Sequence, residues 1–577
     1  MEVQPLRYLA SARRVVVLAT MLVVAGCAGV ETAAPAPTTT SSPPPSPVPA
    51  TAVPQPTAMP APTLVPTATP ARPSATPAPQ TTPGETSTPS PVLPAATASL
   101  PPAAAQSTAE QASGCDAAHV ASVAESSDLY SGSAFAPDLN AFNRYRMDLA
   151  LDPDQALLTG TQTLDFTNRT GAPLPDLVFH LYPNLPDFEG RLEITCAAVD
   201  GAAVRPLLED DDWKLRLPLP VPLAPDASTQ VTLRFTTTTP RGTGATAYGA
   251  FNLQEGIWTL ASFYPTLAIR VGEAWDPARP SGWSDYVNSD MALYHARISM
   301  PAGYALLSSG VADTTCASGT CSVVAAAGPQ RDFILAVSRE WEQSRRVVGE
   351  TTVVSSFPPQ WRAAGERALD LAVDALARFN DRFGLYPYVE LDILPVTAGN
   401  FAGVEYPGLI MINDSYYDEN GDRTAVLLDV VVHEVAHMWW YNVVGNDVLR
   451  EPWLDEGLTS YSAEYLYTEW SGQGAQPLTE ARLAQLQQLG LDKTPIDLEV
   501  TEYADARSYV AVIYGRAPLF FDALRGELGD DAFFRLLREH YRRNAFGRAT
   551  TEGFEKLAEE IAGRELDPFL SAWLADK

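Results

Sequence analysis

Apolar residues alternate with polar or small ones at Tyr145, Met147, Leu149 and Leu151, a period of two that predicts a strand with one buried face. The same rhythm returns at Leu164 and Phe166, from Val178 to Tyr182, and at Val231, Leu233 and Phe235. Turn clusters such as Asn168-Arg169-Thr170-Gly171 and the acidic run from Glu209 to Asp212 separate these stretches. Short strands broken by frequent turns up to about Ser338 predict an all-β domain of sandwich type. After Arg345 the period changes. Leu369, Val373, Leu376, Phe379 and Phe383 recur at helical spacing, and Gly384 closes that helix. Mostly apolar runs at Leu391 to Val396 and Leu409 to Ile412 read as buried strands. The whole predicts a multidomain α+β chain: a β domain over 114–345, then a mainly helical domain over 346–577 with a small edge sheet.

The first hundred residues follow neither period. Arg7, Arg13 and Arg14 precede an apolar run from Val15 to Val24, and Val24-Ala25-Gly26-Cys27 follows. That run is too short to span a bilayer, so residues 1–26 read as a lipoprotein signal peptide, with lipid attached to Cys27. Between Pro35 and Pro102 lie 22 of the 50 prolines, among Thr, Ala and Ser. Such a segment has too few large apolar groups to offset its ordering entropy, so 27–113 is expected to be a lipid anchor followed by a disordered stalk. The localisation that follows is an exported protein, lipid-anchored at the outer face of a bacterial cell membrane.

Charge and cysteines narrow the picture. The formal net charge is -30, and removing residues 1–26 takes away three arginines and Glu2, leaving -30 - 2 = -32. This argues against nucleic acid as a partner and suits cationic peptide N-termini. None of Cys115, Cys196, Cys316 and Cys321 has metal-site spacing. The short polar loop between Cys316 and Cys321 reads as a hairpin tip closed by a disulfide, which leaves Cys115 to Cys196 as the remaining pair. The oligomeric state is not legible.

The candidate chemistry lies in the stretch Val430 to Tyr461. His433 and His437 are four apart, so on a helix both imidazoles project from one face at a separation that lets them share a metal ion. Glu434 stands between them, placed to take a proton from water. Glu456, nineteen residues after His437, supplies a third donor. Two imidazoles and one carboxylate leave a fourth position open, the donor set of a catalytic zinc site, with one ion per chain. A metzincin would need Gly and then His where Trp440 and Val443 stand, so that class is excluded.

Glu456 lies within Trp453-Leu454-Asp455-Glu456-Gly457, with 18 residues between it and His437. This context resembles the gluzincin zinc aminopeptidases related to alanyl aminopeptidase and leukotriene hydrolase. Their opening β-saddle domain is similar to Gly160-Thr161-Gln162 through Pro183-Asn184, and their catalytic domain has the thermolysin-like fold. The resemblance implies further roles. Ala402-Gly403-Val404-Glu405-Tyr406 partly matches the family's Gly-Ala-Met-Glu-Asn motif, which makes Glu405 the anchor of a substrate ammonium and Gly403 and Val404 neighbours of the bound peptide. Tyr514, in Val512-Ile513-Tyr514-Gly515-Arg516-Ala517 and 58 residues past Glu456, would support the oxyanion, with Tyr509 as rival. In the family the β domain also contributes to the ammonium site; Gln254 or Glu255 is the candidate position. Asp429, Asp455 and Asn442 are candidates to orient the ligands, and Trp439, Trp440 and Tyr441 read as core packing. Many relatives continue into a helical domain covering the cleft, and without it a more open site accepting longer peptides is expected.

The reading is a zinc-dependent metallopeptidase, an aminopeptidase releasing N-terminal residues from peptide substrates. The alternatives are a zinc endopeptidase on the same scaffold and a non-catalytic peptide-binding surface lipoprotein.

Overall fold

The computed structural model describes residues 115, 137–242, 248–399, 401–418, 423–472 and 476–575. The expected signal segment, Cys27 and the stalk lie outside the described residues. The first domain is all β. Its largest sheet has eight strands in the order Val311–Ala317, Thr320–Gln330, Ala292–Pro301, Asn143–Asp152, Leu157–Thr167, Ser228–Thr238, Arg191–Val199 and Ala202–Ala203. Within it Asn143–Asp152 runs parallel to Ala292–Pro301 and antiparallel to Leu157–Thr167. The period of two predicted for the first strand holds: Tyr145, Met147, Leu149 and Leu151 are all buried. They share a core with Phe179 and Leu217 of one four-stranded sheet and with Trp258 and Leu335 of another. The acidic run is a turn, with Asp210, Asp211 and Asp212 all at positive φ. Both disulfides are formed, Cys316–Cys321 across the hairpin tip and Cys115–Cys196.

The second domain is built on a five-stranded sheet in the order Glu342–Val348, Thr351–Phe357, Glu390–Val396, Leu409–Asn413 and Gly403–Val404. The boundary expected at Arg345 falls inside the first of these strands, because Glu342–Val348 pairs with Thr351–Phe357, which in turn pairs with Glu390–Val396. The domains therefore hand over a few residues earlier, after the strand Leu335–Ser338. Alternation divides the sheet between two cores. Leu391, Ile393, Ile410 and Ile412 face the helices, whereas Leu394, Val396, Leu409 and Met411 face the β domain. This two-sided burial is why both strands read as continuous apolar runs.

Helix α1 (Arg362–Arg382) buries Leu369, Leu376 and Phe379, and the chain leaves it through Gly384 at φ +132. It packs on α2 (Thr424–Ala436), an almost wholly apolar helix. Next come α3 (Glu456–Ser460), a π-helical turn (Tyr461–Leu466), α4 (Tyr467–Trp470) and α5 (Gln476–Leu489). Then α6 (Ala506–Ala511) passes through a second π-helical turn (Val512–Arg516) into α7 (Ala517–Leu528). Helices α8 (Asp530–Asn544) and α9 (Thr551–Ala562) follow. Among the described residues no helix is long and apolar enough to cross a membrane.

Candidate active site

Helix α2 carries His433 in its last turn, and His437 caps it while still donating its backbone N–H to the His433 carbonyl. The two imidazoles are thus one turn apart on one face, as the spacing of four requires. Helix α3 begins with Glu456, which brings its carboxylate to the same point. His433 Nε2 lies 3.1 Å from His437 Nε2 and 3.1 Å from Glu456 Oε2, and His437 Nε2 lies 3.3 Å from Glu456 Oε2. Donors about 2.0–2.1 Å from a tetrahedral ion stand roughly 3.3 Å apart, so the three atoms fit zinc in both spacing and chemistry. Zinc is the cofactor this donor set specifies.

Of the three candidates for orienting the ligands, Asp455 does so. Its Oδ1 lies 2.9 Å from His437 Nδ1, which also faces Thr459 Oγ1 and the Trp440 carbonyl. A carboxylate behind a ligating imidazole fixes its tautomer and raises its basicity. Asp429 instead interacts with Glu464 and Arg482, and the Asn442 amide donates to Met438 Sδ. Trp439, Trp440 and Tyr441 are buried. The two indoles donate to the Gly384 carbonyl and to Ser462, as packing residues would.

Glu434 is 4% exposed, and its Oε2 has no hydrogen-bond partner among the described residues. Burial pushes its carboxyl up to about 8; His437 opposes the rise, and Glu456 and Asp285 add to it. For Glu456 burial acts upward too, but His437 and His433 outweigh it and hold that carboxyl well below the usual range. A divalent cation in this cluster draws every neighbouring carboxyl toward its charged form.

Gly403–Val404 is the edge strand of the five-stranded sheet, paired through Gly403 with Ile412 and through Val404 with Met411. Gly403 passes directly over Glu434: a Cβ added there would stand 2.6 Å from the Glu434 Cδ and 2.7 Å from its Cγ. Val404 turns its side chain into the β-domain core, so only its backbone is placed to meet a peptide at the sheet edge. Tyr406 turns the same way, its hydroxyl 2.8 Å from that of Tyr248. Glu405 stays with the metal donors: one carboxylate oxygen lies within 4.8 Å of donor atoms of Glu434 and His437.

The β-domain residue that reaches this carboxylate is Asp285, which hydrogen-bonds Glu405 and interacts with Glu456, Asp455 and His437. Burial is the largest cause that holds both Glu405 and Asp285 well above the carboxylate range; the charge of Asp285 adds next for Glu405, and the charges of Glu456 and Asp455 for Asp285, whose hydrogen bond with Glu405 opposes the rise. Gln254 and Glu255 sit at a hairpin tip, with Glu255 exposed and interacting with Asp414. Asp285 was not legible in the sequence because it lies in a segment without regular structure between Ala274–Trp275 and Ala292–Pro301. The only local signal is a carboxylate directly after the turn-rich stretch Ser281-Gly282-Trp283-Ser284.

Tyr514 lies in the second π-helical turn, and its hydroxyl donates to Glu456 Oε1. Its ring stands 6.0 Å from that of His433. Tyr509 packs edge-on behind Tyr514 at 6.2 Å. Arg516 points elsewhere: it donates to the Asp492 and Ala572 carbonyls and lies over Trp573.

Two histidines from one helix and a glutamate opening a later one define a gluzincin-type metal centre, joined to a β domain across a shared sheet. Residues 367–573 match the Peptidase family M1 domain. Aminopeptidase M1-B of Oryza sativa subsp. japonica is 26% identical over 223 residues, 36% of this chain and 25% of that protein. Aminopeptidase N of Streptomyces lividans is 25% identical over 207 residues, 34% and 24% of the two chains. The chain thus spans about a quarter of the length of these curated relatives. Among solved structures, the M1 zinc metallopeptidase from Deinococcus radiodurans superposes with a TM-score of 0.57 at 21% identity, covering 75% of this chain and 93% of that one. That likeness extends the shared fold to the β domain.

Proposed function

We propose that this chain is a zinc aminopeptidase that removes N-terminal residues from peptides. The observation that carries the reading is the Glu405–Asp285 pair: two carboxylates held beside the metal donors at a sheet edge. A peptide laid along Gly403–Val404 as an added strand would present its ammonium there. An ammonium between two carboxylates replaces the proton they otherwise share and makes charge-assisted hydrogen bonds. This anchoring fixes the first peptide bond over the site and orients it before reaction.

Zinc, when bound, polarises the scissile carbonyl and acidifies water. Glu434 takes the proton of the attacking water on its unpartnered oxygen and delivers it to the leaving nitrogen. The Tyr514 hydroxyl donates to the oxygen that becomes negative as the carbonyl is attacked. Asp455 keeps His437 in one tautomer throughout.

The test compares free and N-acetylated peptides, with and without a chelator. Cleavage of free peptides alone, lost on chelation, is expected. Cleavage of both would establish an endopeptidase on the same scaffold, and cleavage of neither a peptide-binding protein. The proposal extends to location: export and lipid attachment at Cys27, with the stalk as spacer. Labelling with a radioactive fatty acid checks this, and a Cys27→Ala chain that still takes up label would refute it.

A further inference from the structure

The helix that presents Tyr514 is interrupted in a way that exposes its backbone. In an α-helix the Tyr514 carbonyl would accept from the N–H of residue 518, but that residue is Pro518, which has no N–H and whose ring collides with the carbonyl four residues back. The chain answers with the π-helical turn Val512–Arg516, in which the Ala517 N–H bonds five residues back to Val512. A buried carbonyl denied its helical donor is costly unless another donor reaches it.

That donor is Arg482 of α5, 6% exposed, whose Nη1 donates to the Tyr514 carbonyl. Its Nη2 donates to the Glu464 carboxylate, and Glu464 belongs to the other π-helical turn, directly after α3 and Glu456. Asp429 of α2 faces the same guanidinium and Glu464. One buried cation therefore ties the turn that carries Tyr514 to the turn that follows the ligand Glu456.

We infer that Arg482 is a positioning residue for Tyr514: by supplying the hydrogen bond that Pro518 withholds, it sets the π-helical turn so that the phenol points at the oxyanion site beside Glu456. This rests on the oxyanion role proposed for Tyr514. The hydrogen bonds of Arg482 go to the Tyr514 carbonyl and to Glu464 and to none of the three metal donors, so its effect passes through the tyrosine.

The test is a double-mutant cycle on the full, zinc-loaded chain with Arg482→Met, Tyr514→Phe and the pair. Loss of an oxyanion donor costs about 10²–10³-fold in kcat, and a misplacement near 1 Å up to ~10²-fold. Tyr514→Phe is therefore expected to lose about 10²–10³-fold, and Arg482→Met about 10–100-fold in kcat with KM and zinc content unchanged. Added to Tyr514→Phe, Arg482→Met should cost less than about 3-fold more, because interaction through one group is not additive. Calorimetry gives a second readout: a phosphinic tripeptide mimicking the tetrahedral state should lose affinity in Arg482→Met, and a free product amino acid should not. Full turnover in Arg482→Met alongside a crippled Tyr514→Phe overturns the inference alone, as does a double mutant that falls by the product of the single effects. Full turnover in Tyr514→Phe overturns the reading of the tyrosine itself. Should Arg482→Met fail to fold, Arg482→Lys carries the same cycle. It keeps the charge opposite Glu464, and a loss seen only when Tyr514 is present supports the inference, whereas equal losses in both backgrounds overturn it.

Discussion

Gly403→Ala is the sharpest probe of the site, because it adds one methyl group against Glu434 while replacing no proposed catalytic side chain. The glycine is not at positive φ, so alanine fits its backbone without strain. The new Cβ would stand 2.6 Å from the Glu434 Cδ and 2.7 Å from its Cγ, where ordinary contact begins at 3.4 Å. Neither neighbour yields readily: Glu434 is fixed on α2 within an apolar core, and Gly403 is paired in the sheet. The carboxylate must therefore retreat by about 0.8 Å or more. Displacements near 1 Å cost up to ~10²-fold, so kcat on a peptide with a free N-terminus should fall by about 10–100-fold. Zinc content measured by atomic absorption should stay at one ion per chain, since the methyl group faces Glu434 and not the three donors. A Gly403→Ala enzyme with wild-type kcat would refute the placement of the edge strand over the general base.

Glu434→Gln should keep zinc and lower kcat by about 10²–10⁴-fold, the usual contribution of a general acid–base group, as read in a steady-state peptide assay. Asp455→Ala removes the carboxylate behind His437, and zinc affinity in competition with a chromogenic chelator should drop about 10–100-fold. His540 carries a pH prediction remote from the metal. Burial lowers its imidazole from 6.5 to about 4, and its Nδ1 accepts from Asn544 Nδ2 at 3.3 Å. A folded-state value below the unfolded one means stability is fully present above pH 6.5 and is lost as pH falls toward 4, by roughly 2 kcal/mol at pH 5. Urea unfolding at pH 7 and 5 should show His540→Gln losing less than the wild type between the two, and equal losses would refute the assignment.

What could be read from the chain in advance was whatever repeats with a local period or recurs at fixed spacing. Strands with one buried face, such as Asn143–Asp152, and the amphipathic helix α1 declare themselves through periods of 2 and 3.6. The histidine pair declares itself because one helical turn brings residues four apart together. The domain boundary was misplaced because Glu342–Val348 is a strand with few buried positions, and it belongs to its sheet only through pairing with Thr351–Phe357.

Legible along the chain were the histidine pair with Glu434 between it, as candidate donors and candidate base, and the two-domain plan, since these follow from spacing along one helix and from alternation along strands, whereas Glu456 was reached through its motif. Only the tertiary structure decided that Asp285 joins Glu405 across 120 residues of sequence, counting 405 - 285, and that Asp455 alone of three candidates backs His437. It also decided that Val404 and Tyr406 turn into the β-domain core, and that Arg482 completes the carbonyl Pro518 leaves open. These contacts join segments with no shared period, and each is set by how two elements dock, which no local pattern encodes.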